Sequence, residues 1–173
     1  MKRPAKVLAT VRRQGGRLFI CGSGGGAGHA SHAVNNFRKL AGIESYCPSD
    51  NVSELTARIN DEGRENSYAD WLVARRISKN NGLLVFSVGG GCRLRKASMN
   101  LVHAMMSKRK AIVSAITGRD GGEAKKLANV LILVPTVNSI RITPNTDSFQ
   151  AINWHLIASH QRWPKIKQNG KKI

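Results

Sequence analysis

The sequence contains two short apolar runs that each stop at a cluster of glycines, and this pattern most limits how the chain can fold. Residues 17–21 are followed by Gly22-Ser-Gly-Gly-Gly-Ala-Gly28, and residues 83–87 are followed closely by Gly89-Gly-Gly91. A stretch of helical character comes after each cluster. A strand, a glycine-rich turn and a helix in this order are typical of a parallel βαβ unit. The pattern therefore predicts an α/β fold.

The same alternation continues through the rest of the chain. The predicted strands cover residues 17–21, 43–47, 83–87, 111–116 and 130–134, and the predicted helices cover residues 4–14, 29–40, 51–60, 67–77, 94–106 and 149–160, with Ser53 as a cap. Because the strands are mostly apolar throughout, a parallel sheet covered on both faces is expected. The predicted fold is a three-layer αβα, doubly wound (flavodoxin-like) domain with a mostly five-stranded parallel sheet. We expect one domain over residues 1–163, with a short N-terminal helix at 4–14 and a basic C-terminal tail at 164–173.

Composition restricts the setting in which the chain works. Among 173 residues, 28 are Lys or Arg and only 10 are Asp or Glu, which gives a net charge of +18. No apolar run approaches the roughly 20 residues that a membrane-spanning helix needs, and the three cysteines do not form a disulfide pattern, so we expect a cytoplasmic protein. The charge favours anionic ligands and leaves nucleic acid open as a partner, although aromatic residues make up only 5%.

The first glycine cluster suits the binding of a phosphate group. Its glycines allow a sharp bend that turns several amides toward an anion at a helix N-terminus. The cluster lacks the Gly-Lys-Ser/Thr end of a nucleotide P-loop, and only the looser dinucleotide pattern, ending at Ala27, fits. The second cluster, flanked by Ser87 and Cys92, permits the same geometry. Two such turns at the carboxyl end of a parallel sheet predict an anionic small molecule, with a purely packing role as the alternative.

Several side chains near these loops could move protons. His29 and His32 lie three residues apart on the helix after the first cluster, while Asp147, Gln150 and His155 lie on or just before the last helix. A structural role stays open for each histidine. The two histidines of the first helix have no adjoining carboxylate or cysteine, so they do not by themselves predict a metal site.

Further motifs extend this pattern along most of the chain. They are Asn60-Asp61 and residues 84–91, 117–122, 134–138 and 146–150, with the more specific segments 50–57 and 149–156. Together with residues 22–26 and His32, they resemble the sugar isomerase (SIS) domain family over about residues 15–160, and within it the phosphoheptose isomerases. The resemblance implies an aldose–ketose isomerase that acts on sedoheptulose 7-phosphate. It also implies a homo-oligomer, a dimer or tetramer, with active sites between subunits.

The resemblance also implies a set of site residues. The implied catalytic residues are His155, Asp61 and His32. The implied substrate- and phosphate-binding residues are Ser23, Gly24, Gly25, Asn36, Asn60, Ser87, Gly89, Cys92, Asp147 and Gln150. Some family members bind zinc at this site, but the matching ligands here are reduced to His32 and Gln150. We therefore expect no cofactor, with zinc as the open alternative.

Two positions depart from the family pattern at the groups that move protons. Asn36 stands where the family has a glutamate, and Ala158 stands where it has the catalytic histidine. Loss of such a group commonly costs about 10²–10⁴-fold in rate. His155 lies about one turn before Ala158 and could replace the missing base. The alternatives are a non-catalytic SIS module that binds a sugar phosphate or a protein, and a basic SIS protein associated with nucleic acid or a ribonucleoprotein.

Overall fold

The computed structural model describes residues 2–163, which form one parallel sheet with helices on both faces. The strands are β1 (Leu18–Gly22), β2 (Ser45–Tyr46), β3 (Gly82–Ser87), β4 (Ile112–Thr117) and β5 (Val130–Leu133). The helices are α1 (Lys2–Arg13), α2 (Gly25–Asn36), α3 (Val52–Glu62), α4 (Ser67–Ala74), α5 (Met99–Met106), α6 (Ala124–Leu127) and α7 (Ile142–Ala158). The predicted tail at residues 164–173 lies outside the described residues, and the single domain over 1–163 stays a prediction.

The sheet order is β2-β1-β3-β4-β5, and every neighbouring pair is parallel. This order confirms the predicted doubly wound α/β class. The chain moves outward in one direction from β1 to β2 and in the other direction from β3 to β5, so the loops after β1 and β3 begin at the switch point. Register brings their ends together, because Gly22 pairs with Phe86 and Ser87 pairs with Thr117.

Two apolar layers cover the sheet. One layer contains side chains from α1, α2 and α7, including Leu8, Val34, Trp154 and Ile157. The other contains side chains from α4, α5 and α6, including Tyr68, Leu72, Leu101 and Ala124. The three central strands, β1, β3 and β4, are buried at nearly every position, which explains why they read as continuous apolar runs. None of the helices within residues 2–163 is long and apolar enough to span a membrane.

The predicted starts of α5 and α7 and the predicted cap of α3 are wrong. The helix predicted at 94–106 begins only at Met99, because Cys92 and Ala97 exchange backbone hydrogen bonds of 3.0 and 2.9 Å and close a loop instead. The helix predicted at 149–160 begins at Ile142, since Pro144 falls in its first turn, where a missing amide costs nothing. Ser53 is not the cap of α3: the side chain of Asn51 accepts a hydrogen bond from the Glu54 amide at 3.1 Å.

The helix predicted at 29–40 also differs in detail. It begins inside the glycine cluster at Gly25 and ends as a π-helical turn over Phe37–Ala41. Gly42, with φ of +61°, closes this turn in the left-handed conformation that glycine adopts without strain. The strand predicted at 43–47 shortens to the two residues of β2. The remaining boundaries agree to within a few residues.

Candidate functional site

The loops after β3 and β4 interlock at the carboxyl edge of the sheet. The Gly118 amide donates to the Val88 carbonyl at 3.0 Å, and the Ala124 amide donates to the Gly90 carbonyl at 2.9 Å. Gly90 has φ of +71°, and a Cβ there would lie 1.9 Å from the Gly121 carbonyl oxygen. Only glycine therefore permits this close approach of the two loops.

A cavity of about 320 Å³ opens beside the interlocked loops. Its lining consists of Val88, Gly89, Gly91, Cys92, Arg95, Ala97, Ser98, Arg119 and Thr143. Two arginines and no carboxylate belong to this lining, so the cavity suits an anion. The predicted residues Gly89 and Cys92 lie in it. Ser87 lies beneath it, almost fully buried, and its hydroxyl accepts a hydrogen bond from the Gly90 amide at 3.0 Å.

Charge pairing around the cavity leaves its two arginines available. Glu123 lies nearby but already pairs with Arg93 at 3.3 Å and with Lys126 at 3.0 Å. Within residues 2–163, neither Arg95 nor Arg119 forms a salt bridge. The pKa of the Cys92 thiol lies below its ordinary value. The main cause is a hydrogen bond from the backbone of Arg95, and the second is a hydrogen bond from the Arg95 side chain. The cavity therefore stabilises negative charge at more than one point.

The first glycine cluster forms the turn between β1 and α2. Asn100 of α5, almost fully buried, donates to the Ser23 hydroxyl at 2.9 Å and so fixes this turn to the neighbouring loop. Gly24 has φ of +60° immediately before α2. A Cβ on Gly25 would lie 2.8 Å from the Asp147 carboxylate, so this carboxylate sits at the N-terminus of α2. The positive end of the helix dipole stabilises it there.

A groove between α2 and α7 brings two predicted catalytic residues together. The rings of His32 and His155 lie 5.3 Å apart between centroids, and Trp154 packs against both. Both histidines are exposed. The Nδ1 atom of His155 lies 2.8 Å from the Ala151 carbonyl oxygen. Because a carbonyl only accepts, Nδ1 carries a hydrogen; in the neutral ring the lone pair then lies on Nε2, which has no hydrogen-bond partner among residues 2–163.

The two positions that depart from the family pattern lie beyond this groove on the same helices. Asn36 is half-buried one turn after His32, and Ala158 is fully buried in the core. Gln150, also fully buried, donates to the Ile116 carbonyl at 3.2 Å. Its Oε1 atom has no hydrogen-bond partner among residues 2–163. Gln150 therefore anchors α7 to β4 and keeps one acceptor free.

Asn60 and Asp61 are the predicted site residues that the structure does not link to the others. Both are exposed at the end of α3, and the Asn60 amide donates to the Asp61 carboxylate at 2.8 Å. No hydrogen bond among residues 2–163 joins either side chain to the glycine loops or to the histidine groove.

The donor set does not fit zinc. No three His, Cys, Asp or Glu side chains cluster as metal ligands in the part of the chain that the structure describes. The two matching ligands are His32 and Gln150. The ring beside His32 is the imidazole of His155, and no carboxylate lies there. The side-chain amide of Gln150 already donates a hydrogen bond to a backbone carbonyl. A structural or catalytic zinc site normally needs three or four protein ligands, and these residues supply fewer.

Comparisons with known proteins bear on the family. No family model matches the chain. The chain is 33% identical over 165 residues to the lincomycin biosynthesis protein LmbN of Streptomyces lincolnensis, a match that covers 88% of this chain and only 58% of that protein. It is 30% identical over 143 residues to a phosphoheptose isomerase of Helicobacter pylori, with 79% of this chain and 70% of that protein covered. The chain belongs to the phosphoheptose isomerase family. This membership confirms the predicted resemblance.

Solved structures of the same family have the same fold. A phosphoheptose isomerase from Neisseria gonorrhoeae matches with a TM-score of 0.76 and 24% identity over 90% of this chain and 80% of that one. One from Francisella tularensis matches with a TM-score of 0.78 and 23% identity over 91% and 81%. These similarities confirm that residues 2–163 adopt the SIS fold.

Within this phosphoheptose isomerase fold, sequence reasoning missed Arg95, Arg119 and Asn100. Arg119 lies in the loop that follows the predicted strand 111–116, three residues beyond its end, and a position just after a strand was the available signal. Asn100 is a polar residue inside an apolar stretch, which indicates a buried hydrogen bond. Arg95 gave no signal, because it fell within a stretch that was predicted as helix.

Proposed function

We propose that this protein is an aldose–ketose isomerase of sugar phosphates, with the phosphate in the arginine cavity and His155 as the general base. The observation that carries the proposal is the groove in which His155 lies beside His32 with its Nε2 atom free. Membership of the phosphoheptose isomerase family supports the reaction type. Sedoheptulose 7-phosphate is the proposed substrate, since the family relatives are named for the isomerisation of heptose phosphates.

The cavity supports phosphate binding by charge as well as by backbone amides. Arg95 and Arg119 can donate charge-assisted hydrogen bonds, which are stronger than those from neutral hydroxyl groups. The turn at Gly24 and Gly25 is less suited to phosphate, because the Asp147 carboxylate already occupies the helix N-terminus. We propose that this turn, with Ser23, contacts sugar hydroxyls instead.

The groove supports proton transfer between two adjacent carbons. The Nε2 atom of His155 takes the proton from the hydroxyl-bearing carbon next to the carbonyl, which yields an enediolate, and returns it to the neighbouring carbon. His32 can pass a proton between the two oxygens, since its ring adjoins that of His155. The bond from Nδ1 to the Ala151 carbonyl holds the imidazole in the tautomer that this step needs.

Turnover of sedoheptulose 7-phosphate by the purified protein tests the proposal directly. Exchange of the substrate C–H with D₂O, followed by NMR, reports the proton transfer itself. The variant His155→Gln should lose about 10²–10⁴-fold in kcat, whereas Arg119→Gln should raise KM by about 10- to 100-fold with a smaller effect on kcat. The matched control is His160→Gln, an exchange outside the groove, which should leave both constants unchanged.

Two results would contradict this assignment. Unchanged turnover in His155→Gln would exclude His155 as the base. Tight binding of the sugar phosphate by calorimetry, with neither turnover nor solvent exchange in the wild type, would make the protein a non-catalytic SIS module.

We also propose that the protein forms a homo-oligomer through α7. Phe149, Ile152 and Leu156 lie on one face of this helix, and each is about half exposed (49%, 50% and 49%). Residues 149–156 contain no Lys, Arg, Asp or Glu, so two copies of a chain with net charge +18 can approach there without like-charge contact. Sedimentation should show a smaller particle for Ile152→Glu. The control, Val52→Glu on α3, should leave the mass unchanged.

The proposed location is the cytoplasm. A sugar phosphate carries charge and does not cross a bilayer unaided, so its isomerase works where the substrate is made.

A further inference from the structure

The amino edge of the sheet, opposite the cavity and the glycine loops, carries a cluster of basic side chains. These residues end α1 or lie in the loops that lead into β1, β3 and β4. We call them the amino-edge patch: Arg12, Arg13, Arg17, Arg76, Lys79, Lys108, Arg109 and Lys110.

Backbone contacts place the three loops side by side. The Arg17 side chain donates to the carbonyls of Arg75 and Arg76 at 2.7 and 3.3 Å. The Gly82 amide donates to the Arg17 carbonyl, and the Ile112 amide donates to the Asn81 carbonyl. Because neighbouring strands lie about 4.8 Å apart, the starts of β1, β3 and β4 fall within about 10 Å of one another. The patch is therefore one surface.

Carboxylates do not neutralise this surface. In the part of the chain that the structure describes, no residue of the patch forms a salt bridge. Glu54 pairs with Arg58 and Arg75, which do not belong to the patch. Arg13, Arg17 and Lys108 donate side-chain hydrogen bonds within the fold, but only to uncharged oxygen atoms, so the patch keeps its positive charge.

Three patch residues occupy backbone positions that favour glycine. Arg76, Arg109 and Lys110 have φ of 55°, 41° and 67°. Arg76 lies one residue beyond Arg75, the C-cap of α4, where the Ile77 amide donates to the Leu72 carbonyl; this is the usual position of a C-terminal glycine. A side chain in this conformation costs roughly 1–2 kcal/mol. The three side chains make no hydrogen bond within residues 2–163, so no such bond offsets the conformational cost.

We propose that the amino-edge patch binds the phosphate backbone of a nucleic-acid duplex without sequence preference. Regularly spaced phosphates on a rigid duplex match a dense cluster of unpaired cations. Residues 12–17, 75–81 and 107–111 contain no aromatic side chain, so the patch offers no stacking surface for single-stranded bases. The apolar residues of these three segments, Ile77 and Ala111, are buried, so the segments offer no apolar anchor for a membrane or a protein.

The patch and the sugar-phosphate site lie at opposite edges of the sheet. Duplex binding is therefore independent of the proposed isomerase reaction, and both ligands can be bound at once.

Fluorescence anisotropy with labelled 20-bp DNA and RNA duplexes, titrated over a range of salt, tests the proposal. The patch variant combines Arg76→Gly, Arg109→Gly and Lys110→Gly, which removes three charges and also relieves the strained backbone. We expect its duplex affinity to fall at least about tenfold and its salt slope to fall by about 2–3, since each phosphate contact contributes about 0.9. Its unfolding free energy should be unchanged or higher, which excludes misfolding as the cause.

A matched control removes the same charge from elsewhere. It combines Arg64→Gln, Lys96→Gly and Arg141→Gln, of which Lys96 also has positive φ, at 49°. We expect it to keep the wild-type affinity and slope. Equal losses in both variants would overturn the proposal, because net charge alone would then explain binding. Tighter binding to single strands, to anionic vesicles or to an acidic peptide than to duplex would overturn it as well.

Discussion

Replacing Gly90 with alanine should separate the two loops that build the anion cavity. Gly90 has φ of +71°, and the added Cβ would lie 1.9 Å from the Gly121 carbonyl oxygen. The left-handed backbone costs alanine about 1–2 kcal/mol. The steric conflict with a backbone atom costs roughly another 1–3 kcal/mol as the loops move apart. We expect Gly90→Ala to lose about 2–5 kcal/mol of a total unfolding free energy of about 5–15 kcal/mol.

Gly15→Ala is the matched control for this substitution. Gly15 has a similar φ of +62°, but a Cβ there would meet no atom within 4 Å. Gly15→Ala should therefore lower the unfolding free energy only by the cost of the left-handed backbone. The unfolding free energies of the two variants should then differ by the steric cost of about 1–3 kcal/mol. With a urea m-value of about 2 kcal/mol/M, their unfolding midpoints should differ by about 0.5–1.5 M.

Equal midpoints for the two alanine variants would refute this reasoning, since the contact between the loops would then contribute nothing. Binding of inorganic phosphate, followed by calorimetry, should also weaken in Gly90→Ala and stay unchanged in Gly15→Ala, because only the first variant displaces residues that line the cavity.

Three further predictions concern single side chains. Hydrogen bonds from Arg95 lower the pKa of Cys92, so iodoacetamide should alkylate it at lower pH than an ordinary thiol, and Arg95→Gln should remove this difference, as peptide mapping would show. Burial raises the pKa of Glu54, but hydrogen bonds from Arg58 and a second arginine lower it more, so the net pKa is below the usual value of 4.5. Glu54→Gln should therefore lower the unfolding free energy by under about 1 kcal/mol at pH 7. This loss should fade as the pH falls below 4.5, where the carboxylate becomes protonated. Tyr68→Phe should cost about 1–2 kcal/mol in urea unfolding, because the carbonyl at the end of β1 loses its 2.9 Å partner.

The sheet could be predicted from the sequence because its central strands are apolar on both faces and two of them, β1 and β3, lead into glycine clusters. Such runs have one interpretation in a chain that alternates strands and helices. The helix starts at Met99 and Ile142 were missed for a different reason. Residues 92–97 have helical composition, but the two backbone bonds that close them into a loop are invisible in the sequence. Pro144 reads as a helix breaker unless its place in the first turn is known.

The candidate site was predictable only where it follows the chain locally. Gly89 and Cys92 lie within five residues of the end of β3, and both line the cavity. Arg119 reaches the same cavity from the loop after β4. Asn100 reaches Ser23 from α5. Such contacts join distant segments of the chain, so they depend on the order of the strands, which no single segment encodes.

The parallel course of α2 and α7 couples the two positions where this chain departs from its family. Gly25 lies beside Asp147, and His32 lies beside Trp154, at the same sequence offset. Continued along both helices, that offset pairs Asn36 with Ala158, because α-helices advance equally per residue. A glutamate at position 36 and a histidine at position 158, as in the family, would thus face each other. If only one of the two were introduced, its side chain would have no partner. Their loss is expected to be epistatic: Asn36→Glu and Ala158→His should each destabilise the fold singly and recover about 0.5–3 kcal/mol when combined.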